Sequence, residues 1–258
     1  MKYALLFLLC TLPFLGYSQA AFEARTFVRG SDTLPYRILM PVDYKPGTEY
    51  PLILVMHGAG ERGNDNISQL KHGSKLFLND SLRKEYPAIV VFPQCAKNSS
   101  WAVMQFNKDS VGWGGVKFIA DTIPTVPAGL LHQLMDSLLH SGSVDYRRIY
   151  VGGLSMGGIG TFDMLARYPN RFAAAFPICG AGNEEYATRF ADGTAVWIFH
   201  GAEDKTVPTK FSQDYYKRLK MAGCRVLYTE YPGVGHNSWD NAFAEPDLLS
   251  WMFSFKRK

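Results

Sequence analysis

From residue 22 onward, short apolar runs alternate with segments whose apolar positions recur every three or four residues. The runs Phe22–Val28, Leu34–Met40, Leu52–Met56, Ala88–Phe92, Arg148–Gly152, Ala173–Pro177, Ala195–His200 and Val226–Tyr231 predict strands. Several are continuous rather than alternating, as expected where both faces of a strand are covered. Between them, Leu131, Leu134, Met135 and Leu138 form one helical stripe, opened by Pro127, whose missing N–H suits a first turn. Ile159, Phe162 and Leu165-Ala166 form a second, stopped before Pro169. Phe211, Tyr215 and Leu219 form a third, and Leu248, Trp251 and Phe255 a fourth. These stripes are core faces. The alternation predicts an α/β fold, a mostly parallel eight-stranded sheet flanked by helices.

No linker or repeat divides the chain, so residues 21–258 are expected to form a single domain. One long irregular stretch, Gln94 to Val126, carries Trp101, Phe106, Trp113 and Phe118, which favours packing beside a cleft. The first twenty residues have the three parts of a secretory leader. Lys2 is the basic region, Tyr3 to Leu15 the apolar run, and Ser18-Gln19-Ala20 the small-residue cut site. Export to the periplasm or the medium is expected, with no membrane anchor once residues 1–20 are removed. That leaves Cys95, Cys179 and Cys224, enough for one disulfide at most; their apolar or strand-end settings read as buried free thiols. The formal charge of +4 comes with no basic cluster except the terminal Lys256-Arg257-Lys258, which gives no case for nucleic acid as a partner.

Two motifs compete for the chemistry. Gly58-Ala59-Gly60-Glu61-Arg62-Gly63 fits a dinucleotide fingerprint, but the residues after its second glycine do not open a helix. The next strand also runs into Pro93-Gln94, where a ribose-binding carboxylate is needed. No Walker loop and no His-x-x-x-His pair occurs, so no cofactor and no metal is expected. Gly153-Leu154-Ser155-Met156-Gly157 is the stronger signal. It lies between a predicted strand and a predicted helix, where the turn strains the serine and exposes its hydroxyl.

A serine hydroxyl needs a base to take its proton. In the order nucleophile, acid, histidine, His236 alone among six histidines follows the last predicted strand, in a glycine-rich turn. His57 and His200, at strand ends beside glycine, read as structural. The acid is expected after the Ala195–His200 strand, where Asp204 is preferred over Glu203, with Asp240 a third option. Acyl transfer also needs N–H donors for the developing oxyanion: the amide of Met156, and one from the His57-Gly58-Ala59-Gly60 turn, with Ala59 preferred and Gly60 beside it.

Together these residues resemble the α/β-hydrolase superfamily. More narrowly they resemble secreted esterases of the polyhydroxybutyrate-depolymerase, feruloyl- and acetylxylan-esterase type, grouped with prolyl-oligopeptidase-like catalytic domains. The likeness runs from about Leu34 to Trp251 through the motifs above, Pro93-Gln94-Cys95, His200-Gly201-Ala202-Glu203-Asp204 with Val207-Pro208, and Gly235-His236-Asn237-Ser238-Trp239. The resemblance implies Ser155, Asp204 and His236 as triad, and Trp101, Trp239 and Gly60 at the substrate. Glu61 and Arg62 read instead as an ion pair or a solvated turn. It further implies an ester substrate, either a small molecule or an acyl group on a polysaccharide. A small peptidase and a non-catalytic binding protein are the alternatives. Only about fifteen residues, Gly180 to Thr194, separate two strands where relatives insert a lid, so no large lid is expected.

Overall fold

The computed structural model describes residues 21–107 and 112–258; the expected leader, residues 1–20, lies outside the described residues. The chain opens with the antiparallel pair β1 (Glu23–Arg29) and β2 (Asp32–Leu39), followed by β3 (Tyr50–Met56). Two short helices, α1 (Ser74–Leu78) and α2 (Asp80–Glu85), lead into β4 (Ile89–Pro93). A small separate hairpin, β5 (Met104–Phe106) and β6 (Val116–Phe118), precedes α3 (Val126–His140) and β7 (Val144–Leu154). Then come α4 (Met156–Arg167), β8 (Ala174–Ile178), β9 (Ala195–Gly201), α5 (Lys210–Met221) and β10 (Val226–Tyr231), with α6 (Trp239–Ala242) and α7 (Leu248–Phe253) closing the chain.

The main sheet has the order β1-β2-β4-β3-β7-β8-β9-β10. Every pair from β4 to β10 is parallel, and only the β1–β2 and β2–β4 pairs are antiparallel. The expected α/β architecture is therefore the observed one. β3 shows why its seven residues are all apolar or buried. Leu52, Leu54 and Met56 enter one core with α3, α4 and α5, while Ile53 and Val55 enter the other with α1 and α7. Two-sided burial of this kind removes the alternation that marks a half-exposed strand.

Three of the four helical stripes land as read; the fourth is cut short, α7 ending at Phe253 before Phe255. α3 buries Leu131, Leu134 and Met135, and the Thr125 side chain accepts from Ala128 N at its start. Two features differ from expectation. β7 begins at Val144 rather than Arg148, its first residues pairing with Tyr50 across a register irregularity. The 94–126 stretch is not a bare loop, since β5, β6 and a single turn at Gly112–Gly115 lie within it. Cys95, Cys179 and Cys224 are all free, the first two buried, so no disulfide braces the described residues.

Candidate active site

Ser155 sits between the last residue of β7 and the first of α4, with φ +52° and ψ −116°. Backbone of that kind costs a residue with a side chain about 1–3 kcal/mol, so the surroundings must enforce it. They do so by close packing. A Cβ on Gly157 would lie 2.0 Å from Met56 O, which means α4 rests directly against the end of β3. Ser155 N donates to Ile178 O of β8 at 2.9 Å, locking the turn from the other side. The half-buried hydroxyl then faces His236, with Oγ 2.8 Å from Nε2.

His236 is carried by the turn after β10. That turn is seated on the end of β9: a Cβ on Gly201 would lie 2.1 Å from Gly235 O and 2.4 Å from Val234 O. The other ring nitrogen, Nδ1, is 2.7 Å from Asp204 Oδ2. An ionised carboxylate only accepts, so Nδ1 carries the proton and Nε2 is left free to accept from Ser155. The Asp204 side chain is fully buried. Its Oδ1 accepts from Thr206 N at 2.8 Å and Val207 N at 2.9 Å, and its Oδ2 also faces His200 Nε2 at 3.2 Å. Burial acts to raise the carboxyl's pKa, but hydrogen bonds from His200, His236 and the two amides outweigh it and hold the group well below the usual carboxylate range. Glu203 and Asp240 are exposed and take no part in this chain.

The His57–Gly60 turn lies against the nucleophile. A Cβ on Gly58 would meet Leu154 at 2.9 Å and Ser155 Cβ at 3.6 Å. Ala59 opens a single turn, Ala59–Glu61, and Met156 opens α4. First-turn amides have no carbonyl behind them in their own helix, so both are donors in search of an acceptor. His57 is buried, accepts from Cys95 N at Nε2 and contacts Gly58 O through Nδ1. Burial pushes its pKa down to about 4, against a smaller opposing effect of Gly58 O, so the ring is neutral.

Trp101 requires a correction. It does not border a cleft: it is 0% exposed, donates from Nε1 to His57 O at 3.1 Å and packs edge-on against the His57 ring. Gly160 leaves the space it fills, since a Cβ there would lie 2.4 Å from Trp101 Cβ. Trp101 therefore buttresses the turn from below. Trp239 is half-buried and stands edge-on to the His236 ring at 5.4 Å. Gly60 is exposed, with nothing within 4 Å of its Cβ direction. Glu61 is buried and faces His72 at 3.6 Å and Lys71 at 3.9 Å, while Arg62 reaches Ala59 O and Ser99 O. Both residues are thus structural, but they do not pair with each other: Glu61 faces the Lys71–His72 segment and Arg62 braces backbone carbonyls.

Among the described residues, one trio could offer three metal-type donors: Cys179, Asp204 and His236, with ligand atoms within 4.8 Å of one another. Asp204 and His236 are already bonded to each other, and burial pushes the Cys179 thiol up to about 12. The donor set suits the hydrogen-bonded chain better than a cation. The sequence reading missed one contributor, the contact of His200 with Asp204, for which the spacing of four was the available signal. Trp113 and Phe118, read as packing beside a cleft, cluster with Phe211, and Trp113 Nε1 donates to Thr206 O at 2.7 Å beside the acid.

A serine on a strained strand-to-helix turn, a histidine after the last strand and a buried acid between them, all at one end of a parallel sheet, define the α/β-hydrolase class. A solved thermostable esterase has the same fold, with a TM-score of 0.82 and 33% identity, covering 93% of this chain and 64% of that one. The chain is 44% identical over 170 residues to poly(3-hydroxyalkanoate) depolymerase C of Paucimonas lemoignei, covering 64% of this chain and 37% of that protein. It is 23% identical over 186 residues to a bifunctional acetylxylan esterase/xylanase of Neocallimastix patriciarum, covering 70% of this chain and 24% of that protein. It thus spans well under half the length of those two relatives. Residues 41–246 match the phospholipase/carboxylesterase family, and the chain belongs to that family.

Proposed function

We propose that this chain is an exported serine carboxylesterase that removes feruloyl or acetyl groups from plant polysaccharides through an acyl-enzyme. The observation that carries the chemistry is the chain Ser155–His236–Asp204, at 2.8 and 2.7 Å. His236 Nε2 takes the Ser155 proton as Oγ attacks the ester carbonyl carbon. The resulting oxyanion is received by the amides of Met156 and Ala59, each such donor supporting a rate factor of about 10²–10³. The imidazolium then gives its proton to the departing alcohol oxygen. Water, deprotonated by the same nitrogen, attacks the acyl-enzyme and restores Ser155. Asp204 stays ionised throughout, and Trp239 borders the site.

The acetylxylan esterase/xylanase supports the polysaccharide reading, and so does the short β8–β9 connection. That connection holds only a single helical stretch, Glu184–Arg189, with no lid-sized insertion there, which suits a bulky alcohol. The depolymerase likeness favours a second reading, in which the ester belongs to a poly(3-hydroxyalkanoate). The test exposes the protein to methyl ferulate, an acetylated xylo-oligosaccharide, a 3-hydroxybutyrate oligomer and a Gly-Pro anilide, with Ser155→Ala as blank and products read by mass spectrometry. Ferulate or acetate absent from the blank is the expected result. Hydroxybutyrate alone promotes the second reading, and release of the anilide alone overturns both.

A further inference from the structure

We propose that His200, a neutral ring with its proton on Nε2, is a positioning residue that fixes the orientation of Asp204 toward His236. The inference rests on the esterase reading above. His200 is 0% exposed, next to last in β9, four residues before Asp204. Its Nε2 faces two oxygens, Asp204 Oδ2 at 3.2 Å and Val207 O at 3.0 Å. Both are acceptors, so Nε2 must hold a hydrogen. Its Nδ1 is 2.7 Å from Ser212 Oγ of α5, a hydroxyl that can donate and complete a neutral ring.

The consequence for Asp204 is that it is held on both oxygens: two backbone amides on Oδ1, His236 Nδ1–H on Oδ2, and His200 Nε2 3.2 Å from the same Oδ2, its one N–H shared with Val207 O. A carboxylate held this way cannot rotate and has no free lone-pair direction for a proton. Oδ2 is thereby presented to His236 Nδ1 in one fixed direction, which aims Nε2 at Ser155 Oγ. The other charged group facing His200 is Glu230 of β10, its register partner, whose carboxylate accepts from Gln213 and Tyr228. From α5 comes only the neutral Ser212, and from the acid loop Asp204 itself.

The test has two arms. In the wild-type protein, long-range ¹H–¹⁵N correlation of the imidazoles should show His200 as the Nε2–H tautomer across neutral pH. An Nδ1–H tautomer or a doubly protonated ring overturns the proposal, whatever the substrate proves to be. In variants, His200→Leu should lower kcat about tenfold with KM nearly unchanged. His200→Gln, whose amide N–H replaces Nε2–H, should restore most of that loss. Ser212→Ala, which leaves Asp204 untouched, should lower kcat by less, and it serves if His200→Leu does not fold. A folded His200→Leu with wild-type kcat, or a His200→Gln no better than His200→Leu, overturns the proposal. Wild-type protein silent on every ester, with the Nε2–H tautomer in place, would instead count against the esterase reading alone.

Discussion

Replacing Gly201 with alanine tests whether backbone contact, rather than side-chain chemistry, sets the position of His236. The new Cβ would stand 2.1 Å from Gly235 O and 2.4 Å from Val234 O, where real Cβ atoms stay beyond 3.0 Å. Neither obstacle is a flexible side chain, so the turn must retreat by about 0.9 Å, the shortfall from that limit. Gly235 immediately precedes His236, whose Nε2 has only 2.8 Å to Ser155 Oγ to work with. A displacement of about 1 Å in a reacting geometry costs about 10²-fold in rate. Forcing a methyl group into a packed site also costs about 1–3 kcal/mol of stability. The assay is kcat/KM on the ester that the wild type hydrolyses, read with the rate of fluorophosphonate labelling and the thermal midpoint. Gly114→Ala, where nothing lies within 4 Å, is the control and should change none of the three. A folded Gly201→Ala enzyme with wild-type kcat/KM and labelling rate would refute the reasoning.

Three further outcomes are expected. Asp204→Asn presents an amide N–H to His236 Nδ1, reverses the tautomer and leaves Nε2 unable to take the serine proton; kcat should fall about 10⁴-fold with the fold retained, measurable as ester turnover against circular dichroism. His57, with its pKa pushed down to about 4, is neutral in the folded protein while an unfolded histidine binds a proton below about 6.5. The unfolded state therefore gains protons first, and His57 costs up to about 3 kcal/mol of stability as pH falls from 6.5 to 4. Urea unfolding of His57→Gln should show a flatter loss than wild type across that window, and parallel curves would contradict it. Trp101→Phe strands His57 O in a dry interior at a cost of about 1–3 kcal/mol and loosens the turn that carries Ala59; a lowered urea midpoint together with slowed turnover is expected.

The parts of the fold that were legible are those where local and global preferences coincide. β3, β8 and the first five residues of β9 are continuous apolar runs because both faces are covered, and their short length between turn residues favours strand over helix. Ser155 was legible because glycine is the only residue that tolerates the 2.0 Å approach at position 157, which leaves a visible mark in the chain. β5 and β6 were not, since three residues each carry no periodicity and the hairpin is held by Trp113 and Phe118 packing on Phe211. The start of β7 was hidden by Asp145 and Arg148, whose side chains pair with each other. Trp101 was misplaced for a related reason. An aromatic in an irregular segment looks the same whether it lines a rim or plugs a gap, and the gap here is defined by Gly160, some sixty residues away. His200 was read as structural because its contact with Asp204 depends on how the chain folds back after β9, not on the spacing alone.

The three unpaired thiols give the molecule an internal clock. Burial pushes Cys95 and Cys179 up to about 12 and Cys224 to about 11, so at neutral pH each is protonated and unreactive while the fold is closed. A thiol reagent in water can reach Cys179 only when the strand ends part, and Cys179 lies beside Asp204 and His236. The pace at which that sulfur becomes modified under native conditions therefore records how often the machinery at the sheet's edge comes apart, molecule by molecule, without any substrate present. Because no crosslink ties the described residues together, the same chain can be prepared in a reducing cytosol and then followed by this signal in an oxidising medium.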